Sequence, residues 1–367
     1  MPYARKARLL AGFIFLMLAG CASLGPQTRE LGKNLPADFP QQTELERVPF
    51  FPQDDYYCGP SALAMALNAA GANVTPEALV DQVYLPGRKG SLQVEMLAAA
   101  RRNGYIAYEL APQLKDLLTE IAAGTPAIVL ENYGFSWYPV WHYSVAVGYD
   151  LPKHDLIRRS GFKQRLTMPL PVFERLWRQE GMWAMVVVPP DRVPATAVET
   201  RYAAAVVALE KSGHLKGAYT AYNAMLKRWP DSLTGQMGRG NVAYALRDLA
   251  TAETAFRQAS TDHADSAAAF NNLANVLAER GKLSDALTAA EKAVNLGGPM
   301  LTDTQATLAE IRQKVAAART EEAARAVKSP PPAAAPEQAA PATATKPPPD
   351  VAPKPKARKR KTRAPAA

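Results

Sequence analysis

The sequence predicts an α+β domain followed by an all-α repeat solenoid, and three observations lead there. Helix-type apolar segments dominate up to about residue 123 and then give way to short β-prone runs. From about residue 199 the chain repeats itself every 34 residues. The two ends differ in composition from everything between them. At 367 residues the chain exceeds the usual single-domain length, so two domains plus tails is the expected organisation.

The formal charge of +9 is unevenly spread. Arg5, Lys6 and Arg8 stand at the N-terminus, and Lys354, Lys356, Arg358, Lys359, Arg360, Lys361 and Arg363 at the C-terminus; without these ten the charge is about −1. The folded part is therefore close to neutral, and no nucleic-acid partner is expected despite the basic composition.

Residues 1–20 read as a secretory signal, a basic start followed by the apolar run Leu9 to Met17, too short to remain as a membrane span. The run ends in Leu18-Ala19-Gly20-Cys21, which resembles the bacterial lipobox at every position. That resemblance implies cleavage before Cys21 and lipid on Cys21, hence a membrane partner through an acyl anchor. Ala22, rather than an aspartate, implies an outer-membrane lipoprotein facing the periplasm of a Gram-negative cell. Residues 21–45 read as a tether, and 328–367, rich in Pro and Ala and then in Lys and Arg, as a disordered basic tail suited to anionic surfaces or to no fixed partner.

The first domain is expected at 46–192. Helices are predicted from Gly59 to about Ala70, from Thr75-Pro76-Glu77 onward, over Ser91–Arg102 and over Ala111–Ala123. Strands are predicted at Pro126–Leu130, His142–Asp150, Leu156–Ser160 and Met182–Val188, with a helix over Met168–Arg178. In 199–300, Ala218, Ala252 and Ala286 stand 34 apart, as do Tyr202, Gln236 and Phe270; Gly213, Arg247 and Gly281 share one loop position. This pattern resembles the tetratricopeptide repeat, about three units, with 301–327 as a capping helix; the resemblance implies a protein partner held on the concave face.

Only Cys21 and Cys58 are cysteines. With Cys21 lipidated, Cys58 has no partner in the chain, and a free thiol in an oxidising envelope calls for a functional reason. No metal or cofactor is expected from two cysteines and four scattered histidines. Cys58 begins an apolar helix, where unpaired N–H groups and the helix dipole are expected to lower its pKa. His154 falls in a polar turn and His214 and His263 in the repeats, which leaves His142 as the base.

The segments Gln53–Met65 and His142–Asp150 resemble the bacteriocin-processing, double-glycine-leader cysteine peptidases and their stand-alone relatives, which are papain-like. The resemblance covers about 46–165. It implies Cys58 as nucleophile, His142 as general base and then acid, and Gln53 as oxyanion donor beside the Cys58 N–H. The family places an aspartate on the strand after the histidine strand, and here that strand reads Leu156-Ile157-Arg158-Arg159-Ser160. Asp150, eight residues along a strand, is roughly 26 Å from His142; Ser160 or Asn132 is left to orient the imidazole. Trp137, Tyr138 and Trp141 are expected to line a groove for a peptide substrate. Two alternatives to peptide-bond hydrolysis stay open: a catalytically silent binding protein, and amide hydrolysis or transfer on peptidoglycan peptides.

Overall fold

The structure, a computed structural model, describes residues 25–53 and 56–328. The expected signal peptide, Cys21 and nearly all of the basic tail lie outside the described residues. The chain divides after Ala317, and of the second unit, 318–367, the described residues are the end of the last helix.

An antiparallel sheet carries the first domain. Its strands are β1 (Gln42–Glu44), β4 (Ile106–Glu109), β5 (Ala127–Asn132), β6 (Trp141–Asp150), β7 (Asp155–Ser160), β8 (Lys163–Pro169) and β9 (Ala184–Val188); β2 (Tyr84–Leu85) and β3 (Gly90–Ser91) form a separate ribbon. The order across the sheet is β4-β9-β5-β6-β7-β8, and β1 lies beside the far end of β6, where β5 has stopped. Gly148 lets β1 approach, since a Cβ there would collide with the Thr43 carbonyl.

The central strands alternate between two cores, as a two-sided sheet requires. One face carries Tyr143, Val145, Val147, Ile128 and Met185, packed on α2 (Cys58–Ala69) with α3 (Pro76–Val83) and α4 (Gln93–Arg102) beside it. Helix α2 is buried from Gly59 to Leu67, so its sequence is apolar on every side rather than striped. The other face carries Ala127, Val129 and Ala146 against α5 (Leu114–Ala122) and α6 (Leu170–Arg178).

Four parts of the chain depart from expectation. Residues 25–45, expected to be a tether, hold α1 (Pro26–Asn34) and β1. The Glu174 carboxylate accepts from the N–H groups of Gln27 and Thr28 at 2.9 and 2.8 Å and from the Thr28 hydroxyl at 2.6 Å, capping α1 from outside. A cap supplied 146 residues away leaves no local signal. Strand β8 occupies the start of the expected helix over Met168–Arg178, which begins only at Leu170. Its exposed edge position explains its polar sequence. Strand β4 was not foreseen, and β3 takes Ser91 from the expected third helix.

The helical array is regular. Helices α7 (Glu199–Lys211), α9 (Leu233–Ala245), α11 (Ala267–Glu279) and α13 (Leu301–Lys328) start 34 residues apart; so do their partners α8 (Leu215–Arg228), α10 (Leu249–Asp262) and α12 (Leu283–Leu296). Three pairs are thus followed by a fourth helix in register. Gly213, Arg247 and Gly281 all have positive φ, at 90°, 64° and 74°, so one left-handed turn recurs even where no glycine supplies it. Gln236 replaces an aromatic by hydrogen bonding, its Nε2 donating to the Pro230 carbonyl at 3.0 Å and to Asp262 at 2.7 Å.

The first helix pair is not separate from the sheet. Tyr202, Val206, Leu209 and Tyr222 share one buried core with Ile106, Tyr108 and Leu114. The Tyr108 hydroxyl accepts from Val198 N at 3.1 Å, and buried Glu120 accepts from the N–H groups of Ala195 and Thr196 at 3.2 and 2.7 Å.

Gly240 in α9 faces Phe256, and an added Cβ would overlap the ring. Gly240→Ala gains about 1 kcal/mol of helix propensity, but overpacking a buried ring costs about 1–3 kcal/mol. The variant is expected to lower the urea midpoint of the full chain, with its far-UV dichroism unchanged.

Candidate active site

Strand β6 brings the candidate residues together at its first turn of pleat. On one edge β5 pairs with it up to Asn132↔Trp141, while on the other edge β7 pairs only as far as Val145↔Arg159. The backbone of Tyr143 therefore lacks a β7 partner, and Gln53 and Cys58 take that place. The Tyr143 backbone acts on the Cys58 sulfur, favouring the thiolate, and its carbonyl accepts from Gln53 Nε2 at 3.3 Å. Gln53 is itself clamped: its Oε1 accepts from Gly161 N at 2.7 Å and its own N–H donates to the Gly161 carbonyl at 3.1 Å. The Tyr143 backbone thus lies beside both the thiol and the Gln53 amide, one residue after His142.

Cys58 is the first residue of α2, half-buried and free. Gly59 lets β3 close over the helix start, because a Cβ there would strike the Ser91 side chain. Tyr56, just before, is held at φ 71°, a costly conformation for a bulky residue, and such strain gathers at functional sites. The expected lowering of the thiol pKa is corrected: burial pushes the Cys58 thiol up, and hydrogen bonds from the backbone of Tyr143, Gly59 and Cys58 itself offset this only in part. The helix start is present, but desolvation outweighs it.

His142 Nε2 lies 2.8 Å from Ser160 Oγ, and the Tyr133 ring meets the imidazole edge-on with centroids 5.8 Å apart. With Nε2–H donating to Ser160, Nδ1 is the nitrogen left to accept a proton. Burial, with the nearby Arg158 cation, pulls the imidazole pKa down to about 4. Thiol and imidazole are thus both neutral at rest.

Of the two expected orienting residues, Ser160 contacts the imidazole. Asn132 does not: its Oδ1 accepts from Gly134 N at 2.8 Å and Val140 N at 2.9 Å, so it shapes the loop leading into β6. Asp150 is bound to Lys153 at the far end of β6, and Asp155 pairs with it across the turn. His154 lies in that turn, while His214 and His263 bond to the carbonyls of Arg102 and Asp231. No cluster of His, Cys, Asp or Glu among the described residues could hold a metal.

Sequence reasoning missed the charged layer beneath the imidazole. Glu131 stands across the strands from His142. Its Oε2 accepts from Ser144 Oγ at 2.6 Å and from Arg158 Nη1, which also reaches the Tyr133 hydroxyl at 3.1 Å. Glu131 and Arg158 are fully buried. The available signal was Glu131 directly after the expected strand Pro126–Leu130 and two arginines within the expected strand Leu156–Ser160. Two clefts, of about 420 Å³ along Glu44–Val48 and about 350 Å³ between Arg101 and Arg201, lie away from these residues.

The titration of His142 depends on this layer. Removing one buried charge alone strands the other at about 3–5 kcal/mol, so the informative variant is Arg158→Met with Glu131→Gln. Loss of the cation is expected to raise the His142 pKa from about 4 while leaving it below 6.5, since burial is the larger cause. The imidazole resonances followed by NMR against pH report this directly. In the parent chain the unfolded state binds the His142 proton more tightly, so this residue's contribution to stability falls as pH drops from 6.5 towards 4.

Residues 45–182 match the Peptidase_C39 like family, and residues 203–259 and 237–298 match the tetratricopeptide repeat. Among solved structures, the chain is similar to a protein from Bacillus anthracis described as a C39-like peptidase, at 19% identity and a TM-score of 0.35, covering 41% of this chain and 98% of that one. Its repeats are similar to the Yersinia enterocolitica type III secretion translocator chaperone SycD, at 16% identity, TM-score 0.30, covering 31% of this chain and 83% of that one. They are similar also to the TPR2B domain of yeast Sti1, at 16% identity, TM-score 0.30, covering 32% and 97%. No curated protein matches the chain. The chain carries a C39-like peptidase domain followed by tetratricopeptide repeats.

Proposed function

We propose that the chain is a cysteine peptidase of the bacterial envelope, anchored to the outer membrane through lipid on Cys21, whose repeats recruit a protein substrate or partner. The observation that carries this reading is the shared seat of Cys58 and Gln53 on the Tyr143 backbone, one residue from His142.

In this reading the Cys58 thiol gives its proton to His142 Nδ1 as sulfur attacks the peptide carbonyl carbon. The carbonyl π pair moves onto oxygen, and the oxyanion is held by the second Nε2 hydrogen of Gln53 and the Cys58 N–H. Collapse breaks the C–N bond, and the amine leaves with the proton from the imidazolium. Water, deprotonated by the same nitrogen, then cleaves the thioester and restores the thiol. Ser160 accepts from Nε2–H throughout and fixes the ring. A low imidazole pKa favours neutral His142 as the first base and makes its protonated form a strong acid towards the leaving amine.

A second reading, a silent binding protein, draws support from the raised thiol pKa and the absence of a carboxylate at Ser160. Iodoacetamide labelling separates them: a peptidase is expected to alkylate at Cys58 faster folded than in urea, and a silent fold more slowly. Cys58→Ala is expected to abolish processing of envelope proteins, and the same strain compared on peptidoglycan peptides tests the amidase alternative.

Two substitutions probe the roles of the neighbours. Gln53→Ala is expected to lower kcat by about 10²–10³-fold, the usual loss of one oxyanion donor. Ser160→Ala is expected to lower kcat with little change in KM, and equal losses in Ser160→Thr, which keeps the hydroxyl, would remove its orienting role.

A further inference from the structure

We infer that the uncharged aromatic hairpin between β5 and β6 seats on the lipid bilayer, holding the Cys58 and His142 end of the sheet at the membrane interface. This rests on the lipid-anchor part of the proposed function and not on catalysis.

The hairpin 133–141 contains no charged residue: Tyr133, Gly134, Phe135, Ser136, Trp137, Tyr138, Pro139, Val140 and Trp141. It is a built structure rather than loose chain. Asn132 Oδ1 ties together its two arms at Gly134 and Val140, and the backbones of Phe135 and Tyr138 bond reciprocally at 3.0 Å. The Phe135 and Trp137 rings stack with centroids 5.4 Å apart and planes 6° from parallel. Yet the rings point outward: Trp137 is 79% exposed, Tyr138 68%, Phe135 64% and Trp141 60%. Holding four large rings in water has a cost that an interfacial bilayer location removes, because Trp and Tyr suit the boundary between head groups and acyl chains. Neither cleft described above is lined by these rings.

What identifies the bilayer as occupant is where the chain emerges. Gly25 begins the described structure beside Glu174, and Gln27 Nε2 contacts the Met182 sulfur at 3.0 Å. The next residue, Trp183, accepts through its carbonyl from Leu130 N at 3.2 Å, and Gln179 donates to the Asn132 carbonyl at 3.4 Å. Gly25 is therefore fixed at the end of the sheet from which the hairpin projects. Cys21 is four residues earlier, and four residues span at most about 14 Å. A bilayer holding the acyl chains of Cys21 lies within reach of the hairpin, and α1 leaves no long tether to carry the domain away. The hairpin lacks the Lys or Arg that would read acidic head groups, so the contact is with the apolar boundary itself.

The test uses the acylated full chain on vesicles of phosphatidylethanolamine and phosphatidylglycerol, with tryptophan fluorescence as readout. Of the five tryptophans, Trp177 and Trp183 are buried. Vesicle binding is expected to reduce iodide quenching at least twofold, and brominated acyl chains are expected to quench the emission. Trp137→Ser with Trp141→Ser is expected to remove most of that lipid-borne quenching while the chain still floats with the vesicles. Flotation with unchanged iodide access overturns the seating alone. So does a double variant that keeps its lipid-borne quenching but loses binding of a peptide substrate, which makes the hairpin a peptide wall. An unmodified Cys21 by mass spectrometry overturns the anchor and the seating together. None of these readouts depends on Cys58 being a nucleophile.

Discussion

The candidate site depends on an incomplete sheet edge. At Tyr143 strand β6 has a neighbour on one side only, and its peptide group must find partners elsewhere. It finds the amide of Gln53 and lies beside the thiol at the head of α2, so a backbone requirement places two side chains five residues apart in the sequence. Had β7 continued two residues further, the same N–H and C=O would be satisfied within the sheet, and Gln53 would lose its place at Tyr143. The register irregularity between Arg158 and Ser160 belongs to the same arrangement, since it turns the chain away at Gly161, the residue that clamps Gln53.

Electrostatics sets the character of the pair. Papain-like chemistry is usually pictured as an ion pair, yet here burial disfavours the charged forms of both partners. Charge is present one layer down, in the buried contact of Glu131 with Arg158, where it is compensated internally. The neutral hydroxyl of Ser160 in the orienting place fits that environment, because a carboxylate there would adjoin the same low-dielectric layer.

Much of this was legible in the sequence, for local reasons. The α2 run, the β6 run and the 34-residue period are written in contiguous or evenly spaced residues; Cys58 and His142 follow as candidates from chemical type and order, and Gln53 only from the family resemblance. Ser160 emerged as one of two alternatives, and only geometry separates it from Asn132, whose acceptor is consumed by its own loop. What stayed hidden is non-local. Helix α1 depends on a carboxylate from α6, and β1 depends on a glycine in β6. The pKa of Cys58 depends on how much protein covers a helix end that, in sequence, looks electropositive. Strand β4 is short and becomes a strand by pairing with β9, its sequence neighbour by no measure.

The common core of the sheet and the first helix pair has a consequence for recruitment. Tyr202 and Tyr222 pack among the residues that pack β4, so no hinge intervenes between the sheet and the start of the array. In the proposed function, a polypeptide held on the repeats is presented at a set offset, like work clamped at a fixed distance from a blade. Its local concentration at Cys58 follows from the length of its own free segment, not from the wandering of a linker. Selection among bonds then becomes a matter of counting residues from the gripped point, and lengthening or shortening that stretch of the bound chain moves the cut.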